Sequence, residues 1–125
     1  MLNQNIILKT TSTWADFIII ADQMSTDGSR DIYKQYEKVI VIDNNNQDFN
    51  EAERQSMLVT KAREIANHRD CILFGLDADE IFSANYINTN DWKEILNSNP
   101  GAVFWFKWAE LSPNKKNFGD SVYYP

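Results

Sequence analysis

Short apolar runs alternate along the chain with longer segments whose apolar residues recur at helical spacing. The apolar runs predict strands at residues 17–21, 39–42, 71–76 and 102–108. The helical patterns lie at residues 30–38, 51–68 and 91–97. Runs this short and this apolar are typical of strands that are buried on both faces of a sheet.

The order of these elements predicts the fold class. Strands that alternate with helices over short connections favour parallel pairing with right-handed crossovers. We therefore predict a single α/β domain over residues 1–125, with a layered, mostly parallel sheet and helices on both of its faces. The first thirteen residues fit either a short helix, from the spacing of Leu2, Ile6 and Ile7, or a strand through residues 5–9.

Acidic residues follow three of the predicted strands at the point where each strand ends. Asp22, Asp43 and Asp77 occupy these positions, and Asp79 comes two residues after Asp77. Open α/β sheets bind ligands at the carboxyl ends of their strands. In an extended chain Asp77 and Asp79 project to the same side, roughly 7 Å apart. That arrangement suits a hard divalent cation or a hydroxylated ligand, although a solvated turn with two unremarkable acids fits the same pattern.

Composition narrows the choice of partners. The chain has 12 basic and 18 acidic residues, for a net charge of −6. Without a block of Lys and Arg, a nucleic-acid backbone is not an expected partner. No stretch is apolar enough to span a bilayer and no leader pattern is present, so we expect a cytoplasmic protein, at most peripheral to a membrane. The single Cys71 is predicted to be a buried small hydrophobe.

Three motifs follow one another along the chain in the order that is found in a known family. They are an Asp-x-x-Ser-Thr-Asp-Gly turn after a strand (residues 22–28), Phe-Asn-Glu-Ala-Glu-Arg (residues 49–54) and Leu-Asp-Ala-Asp-Glu (residues 76–80). With Trp-Ala-Asp at residues 14–16, this series resembles the nucleotide-sugar half of family 2 glycosyltransferases, which have the GT-A fold. The similarity extends over most of residues 2–109.

The resemblance implies transfer of a sugar from a nucleoside-diphosphate donor to a saccharide or glycan acceptor, with Mn²⁺ or Mg²⁺. Because members of this family most often use uridine-diphosphate sugars, the resemblance implies a donor of that kind. By position, the resemblance places Asp22 near the nucleoside and Arg54 near the base or the diphosphate. It places Asp77 near the ribose or a metal-bound water and Asp79 on the metal. We expect Asp22, Asp77 and Asp79 to converge on one cleft, with residues 25–28 at its rim. Both residues also have alternative roles that involve no ligand. Asp22 could cap the next helix, and the Arg54 side chain could simply be exposed to solvent.

The chain departs from the family in ways that limit this interpretation. The usual first strand is missing, and no residue can be named as the catalytic base. We therefore expect either a chain truncated at both ends or a noncatalytic module that binds the nucleotide sugar. The missing strand also predicts an exposed edge beside residues 17–21, which would allow a homo-oligomer to form by strand pairing.

Overall fold

Helices and strands alternate through most of the chain in the computed structural model, which describes residues 3–83, 85–111 and 118–121. The elements are α1 Gln4–Thr11, β1 Ile18–Asp22, α2 Ser29–Tyr33, β2 Val39–Asp43, α3 Glu51–Ala66, a 3-10 turn Tyr86–Asn88, α4 Asn90–Leu96, β3 Trp108–Leu111 and β4 Phe118–Ser121. Within these ranges the strands form one parallel and one antiparallel pair. The chain is thus a small α/β fold.

The parallel pair confirms the first two predicted strands. β1 and β2 are aligned from Ile18 opposite Val39 to Asp22 opposite Asp43. Isoleucine and valine dominate both strands, as expected for side chains that pack on a pleated, largely covered surface. Because the strands are parallel and in register, their terminal carboxylates lie side by side at one edge of the sheet.

The longest helix, α3, confirms the prediction over residues 51–68. Asn50 caps its amino-terminal end, and the Asn50 side chain accepts a hydrogen bond from the Glu53 N–H at 3.1 Å. It ends before Asn67, which has a left-handed φ of 48°, a conformation that asparagine tolerates at helix ends. The helix packs against β1 and buries Ala62. It therefore holds Arg54, which lies in its first turn, in a fixed position relative to the sheet.

The amino-terminal segment forms a helix, so the strand alternative is wrong. The Asn3 side chain caps α1 by accepting from the Asn5 N–H at 2.8 Å. After the helix ends, the Lys38 Nζ donates to the carbonyl oxygens of Ser12 and Ala15 at 2.7 and 2.8 Å. These contacts attach α1 to the chain just before β2.

Six aromatic rings form a cluster that we call the aromatic cluster. Its members are Trp14, Phe74, Phe82, Tyr86, Trp92 and Phe106. The Trp14 ring centroid lies 5.0 Å from that of Phe74 in an edge-to-face arrangement, which aromatic pairs favour. Next to Trp92 in α4, Ile95 is only 3% exposed. The cluster therefore packs the second half of the chain against the segment that leads into β1.

Residues 71–76 are not a strand, which corrects the sequence prediction. Their backbone is not part of any sheet, and Cys71 is exposed where burial was predicted. A strand requires a neighbour that takes up its backbone hydrogen bonds. In the part of the chain that the structure describes, no strand lies beside this run. Within this run, Phe74 packs into the aromatic cluster, whereas Ile72 and Leu73 are exposed.

The strand predicted over residues 102–108 is also wrong in position. Residues 102–107 have no regular structure and are exposed, and Trp105 retains 82% of its accessible surface. β3 begins only at Trp108 and pairs with β4 in the antiparallel sense. The layered parallel sheet thus comprises two strands among the described residues, fewer than predicted.

None of the described helices has the length and apolar character that crossing a membrane requires.

Candidate functional site

An open cleft lies beside the carboxyl end of β1, where the sequence predicts a ligand site. Its volume is about 490 Å³. The residues that line it come from five separate segments of the chain: Gln4, Ala21, Gln23, Phe49, Arg54, Asp77, Ala78 and Asp79. The cleft therefore brings together three of the four predicted site residues, namely Arg54, Asp77 and Asp79.

A second cavity, of about 560 Å³, lies at the carboxyl end of α3. Arg63, His68, Arg69 and Cys71 are among the residues that line it. It contains none of the predicted site residues, so the smaller cleft at β1 is the candidate site.

The two acids of the cleft lie in a tight turn. The Glu80 N–H donates to the Asp77 carbonyl oxygen at 3.1 Å, and the Glu80 carboxylate accepts from the Asp77 N–H at 2.8 Å. Asp77 and Asp79 are both exposed. The extended geometry predicted for this pair is therefore wrong, because the chain turns at residues 77–80. Glu80 stabilises that turn.

Arg54 is held in a defined orientation by its own helix. Its Nε and Nη2 atoms donate to the two carboxylate oxygens of Glu51 at 2.9 and 2.8 Å. This contact raises the pKa of Arg54 above its ordinary value, and the nearby charge of Asp77 adds to the effect. A guanidinium has five N–H donors. The contact with Glu51 uses two of them, which leaves three to meet an anion in the cleft.

The side chain of Asp22 does not line the cleft, although both of its neighbours do. Successive residues of a strand point to opposite faces, so Ala21 and Gln23 face the cleft and Asp22 faces away from it. The Asp22 Oδ2 atom accepts from the Ser25 N–H at 3.1 Å and from the Arg30 Nε at 2.7 Å. The predicted position of Asp22 near a nucleoside stays a prediction.

Arg30 joins the ends of the two parallel strands. Its Nη2 atom donates to the Asp43 Oδ1 at 2.6 Å, while its guanidinium also contacts the buried Asp22. Burial acts to raise the pKa of Asp22, but the hydrogen bonds from Ser25 and Arg30 outweigh it and hold the pKa below its ordinary value of 3.8. Asp22 is therefore an ionised carboxylate that orders the turn after β1.

The turn at residues 25–28 does not line the cleft, contrary to the rim position expected for it. Asp27 accepts from both the N–H and the hydroxyl of Ser29, at 3.1 and 2.6 Å. These hydrogen bonds lower the pKa of Asp27. Gly28 has a left-handed φ of 87°, which side chains with a Cβ rarely adopt. This turn therefore leads into α2, which begins at Ser29.

Two residues of the cleft were missed by the sequence analysis. Phe49 is 77% exposed and lies in the polar loop that precedes α3. Gln23 directly follows β1, and its Nε2 atom donates to the Asn46 carbonyl oxygen at 2.7 Å. In the sequence, Phe49 is a lone aromatic residue after a run of Asn, Gln and Asp, a pattern that does not by itself mark a binding residue.

The side chains at the cleft show whether the expected cation, Mn²⁺ or Mg²⁺, could bind there. Within the described ranges, no group of three or more His, Cys, Asp or Glu side chains could hold a metal ion. Asp77 and Asp79 supply two exposed carboxylates at the cleft. Mg²⁺ and similar ions are commonly held by one or two carboxylates together with substrate phosphates. The residues therefore fit a cation that binds together with a phosphate ligand, and they do not form a complete site of their own.

Comparison of the chain with protein-family models, with curated proteins and with solved structures finds no match in any of the three.

Proposed function

We propose that the cleft binds a nucleoside-diphosphate sugar and that the chain takes part in glycosyl transfer from this donor. The supporting observation is that Arg54, Asp77 and Asp79, which come from two distant segments, line one cleft at the carboxyl end of a parallel strand. That edge of an α/β sheet is the usual place for a ligand. We also propose that the strands and helices around the cleft are arranged as in the GT-A fold.

Arg54 is proposed to contact the diphosphate. Its remaining N–H donors suit phosphate oxygens, which guanidinium groups bind through paired hydrogen bonds. Its contact with Glu51 fixes the side chain before the ligand arrives, which lowers the entropic cost of binding. Because the chain has a net charge of −6, a positively charged side chain such as Arg54 is needed to offset the repulsion of a ligand with two negative charges.

Asp79, with support from Asp77, is proposed to hold Mn²⁺ or Mg²⁺ against the diphosphate. Asp77 is also available to a ribose hydroxyl. Oxygen ligands favour these hard cations over zinc. When bound, the cation neutralises charge that develops on the leaving diphosphate. The residues of the chain position the donor, and the turn closed by Glu80 keeps both acids at the cleft.

A second candidate function is donor binding without turnover. Transfer to an acceptor requires a carboxylate or another base to deprotonate the acceptor hydroxyl. Among the described residues that line the cleft, Asp77 and Asp79 are the only carboxylates, and both are assigned to the donor side. This observation favours a binding module. Release of UDP from a UDP-sugar, with and without saccharide acceptors, separates an enzyme from such a module.

Calorimetry tests the proposed binding directly. UDP is titrated into the wild type and into Asp79→Ala, each with and without Mn²⁺. We expect Mn²⁺ to tighten binding of UDP to the wild type by at least about tenfold, a difference of about 1.4 kcal/mol. The same addition should have no effect on Asp79→Ala, which loses one hard ligand. Because Asp79 is exposed, the variant should keep its fold.

The matched control is Asp70→Ala, which removes an exposed acid that does not line the cleft. It should respond to Mn²⁺ as the wild type does. Tight binding of UDP that is independent of metal, or an unchanged metal response in Asp79→Ala, would refute the assignment of the cation to Asp79.

A further inference from the structure

Phe49 is the cleft residue whose exposure the fold does not explain. A phenylalanine with 77% of its surface exposed loses the favourable free energy that burial would provide. The paired aromatic rings of the described residues all belong to the aromatic cluster, and Phe49 is not among them. Phe49 therefore lines the cleft without an aromatic partner among the described residues.

The position of Phe49 in the sequence makes its exposure more informative. It directly precedes Asn50, the residue that caps α3. An apolar residue at this position commonly packs against the residue four places into the helix, which here is Arg54. Arg54 is charged and is held by Glu51. A charged residue thus occupies the place of the usual apolar partner, and the Phe49 side chain remains exposed at the cleft.

Gln23 presents an oriented amide to the same cleft. Its Nε2 atom donates to the Asn46 carbonyl oxygen at 2.7 Å. Asn46 is held in turn, because its Nδ2 atom donates to Glu53 in α3 at 2.7 Å. This bond uses one of the two N–H groups of Nε2 and orients the amide, so that Oε1, a hydrogen-bond acceptor, has a fixed position. The cleft therefore combines a flat apolar ring with a fixed acceptor.

We infer that Phe49 and Gln23 form a nucleobase subsite, in which a uracil ring stacks on Phe49 and donates its ring N–H to the Gln23 Oε1. Aromatic rings bind bases through their faces, and the acceptor adds a preference for a base with a ring N–H. This inference rests on the proposed function and adds a specificity that Arg54, Asp77 and Asp79 do not supply. A cytosine ring has a hydrogen-bond acceptor at N3. This atom would face a second acceptor, the Gln23 Oε1, so cytosine should bind less well than uracil.

The experiment measures the dissociation constants of UDP, CDP and pyrophosphate, each with Mn²⁺, for the wild type, Phe49→Ala, Phe49→Tyr and Gln23→Met. Loss of stacking in Phe49→Ala should weaken UDP binding by roughly 5-fold to 150-fold. Pyrophosphate binding should be unchanged in that variant, and Phe49→Tyr should retain the affinity for UDP. Gln23→Met should weaken UDP more than CDP. Phe17→Ala, which removes another exposed phenylalanine outside the cleft, should bind UDP as the wild type does.

The outcomes separate the subsite from the proposed function. Wild-type affinity for UDP in Phe49→Ala, alongside Mn²⁺-dependent binding, would overturn the base subsite and leave the diphosphate site standing. Binding of UDP that depends on Phe49 but does not change when Mn²⁺ is omitted would support the subsite and overturn the metal-assisted function. Absence of binding of UDP, CDP and pyrophosphate to the wild type would overturn both.

Discussion

Replacing Asp22 with Asn tests whether the contact between β1 and Arg30 stabilises the fold. The substitution keeps the shape of the side chain and lets its oxygen still accept from the Ser25 N–H, but it removes the negative charge beside Arg30. The Asp22 side chain is 1% exposed, whereas that of Arg30 is 40% exposed. Arg30 would thus remain partly hydrated, and it keeps its contact with Asp43.

The expected loss follows from these exposures. A hydrogen bond to a charged group contributes about 1.5–3 kcal/mol. Breaking a fully buried ion pair costs about 3–5 kcal/mol, a range that applies when neither partner reaches water. Because Arg30 does reach water, we expect Asp22→Asn to lower the free energy of unfolding by about 2 kcal/mol at pH 7.

The loss should depend on pH in a defined direction. The pKa of Asp22 in the folded chain lies below its ordinary value of 3.8, so the carboxylate stabilises the fold above that value. This stabilisation disappears as the pH falls through the folded pKa. The difference in stability between the wild type and Asp22→Asn, present at pH 7, should therefore shrink at pH values below 3.8.

Urea titrations followed by tryptophan fluorescence measure these differences, because Trp14 and Trp92 lie in the aromatic cluster. The matched control is Asp43→Asn, which changes the other carboxylate on Arg30 but at a position that is 62% exposed. We expect its effect to be too small to resolve, as for most exposed ion pairs. Equal effects of the two variants, or no loss in Asp22→Asn at pH 7, would refute the reasoning.

Three further predictions concern the rest of the fold. Cys71 is exposed, so it should react with a thiol reagent in the native protein at a rate close to that in urea; strong protection would support the buried strand that the sequence predicted. Ile95→Ala should lower the free energy of unfolding by about 2–5 kcal/mol in urea titrations, because the side chain is 3% exposed beside the aromatic cluster; a loss below that range would place Ile95 outside the core. Gly28→Ala should lower it by roughly 1–2 kcal/mol, because φ is 87° and no atom lies within 4 Å of the added Cβ to account for a larger effect.

The parallel pair was predictable because its signals are local. β1 and β2 are rich in isoleucine and valine, and each ends at an acid. The same local signal at residues 71–76 gave a wrong prediction. Whether an apolar run becomes a strand depends on a neighbour that supplies hydrogen bonds, and the run itself carries no information about that neighbour. Phe74 shows the alternative, in which an apolar side chain packs among other aromatic rings.

The candidate site was predictable in part for a similar reason. Arg54, Asp77 and Asp79 followed from short motifs and their order, and they do line one cleft. The direction of the Asp22 side chain depends on which face of β1 meets the cleft, a property of the packing of α3 on β1. Phe49 was missed because a lone aromatic residue in a polar loop has no periodicity that would distinguish it.

The central claim, that the cleft binds a nucleoside diphosphate with a divalent cation, is tested most directly by paramagnetic broadening in ¹H–¹⁵N spectra. Mn²⁺ is added to labelled protein with and without UDP. The account predicts broadening centred on the amides of residues 77–80, extending to Gln23 and Arg54, that requires UDP, since the two acids alone form an incomplete site. Broadening centred on the cavity at Arg63 and Arg69, or the same broadening at residues 77–80 without UDP, would contradict it.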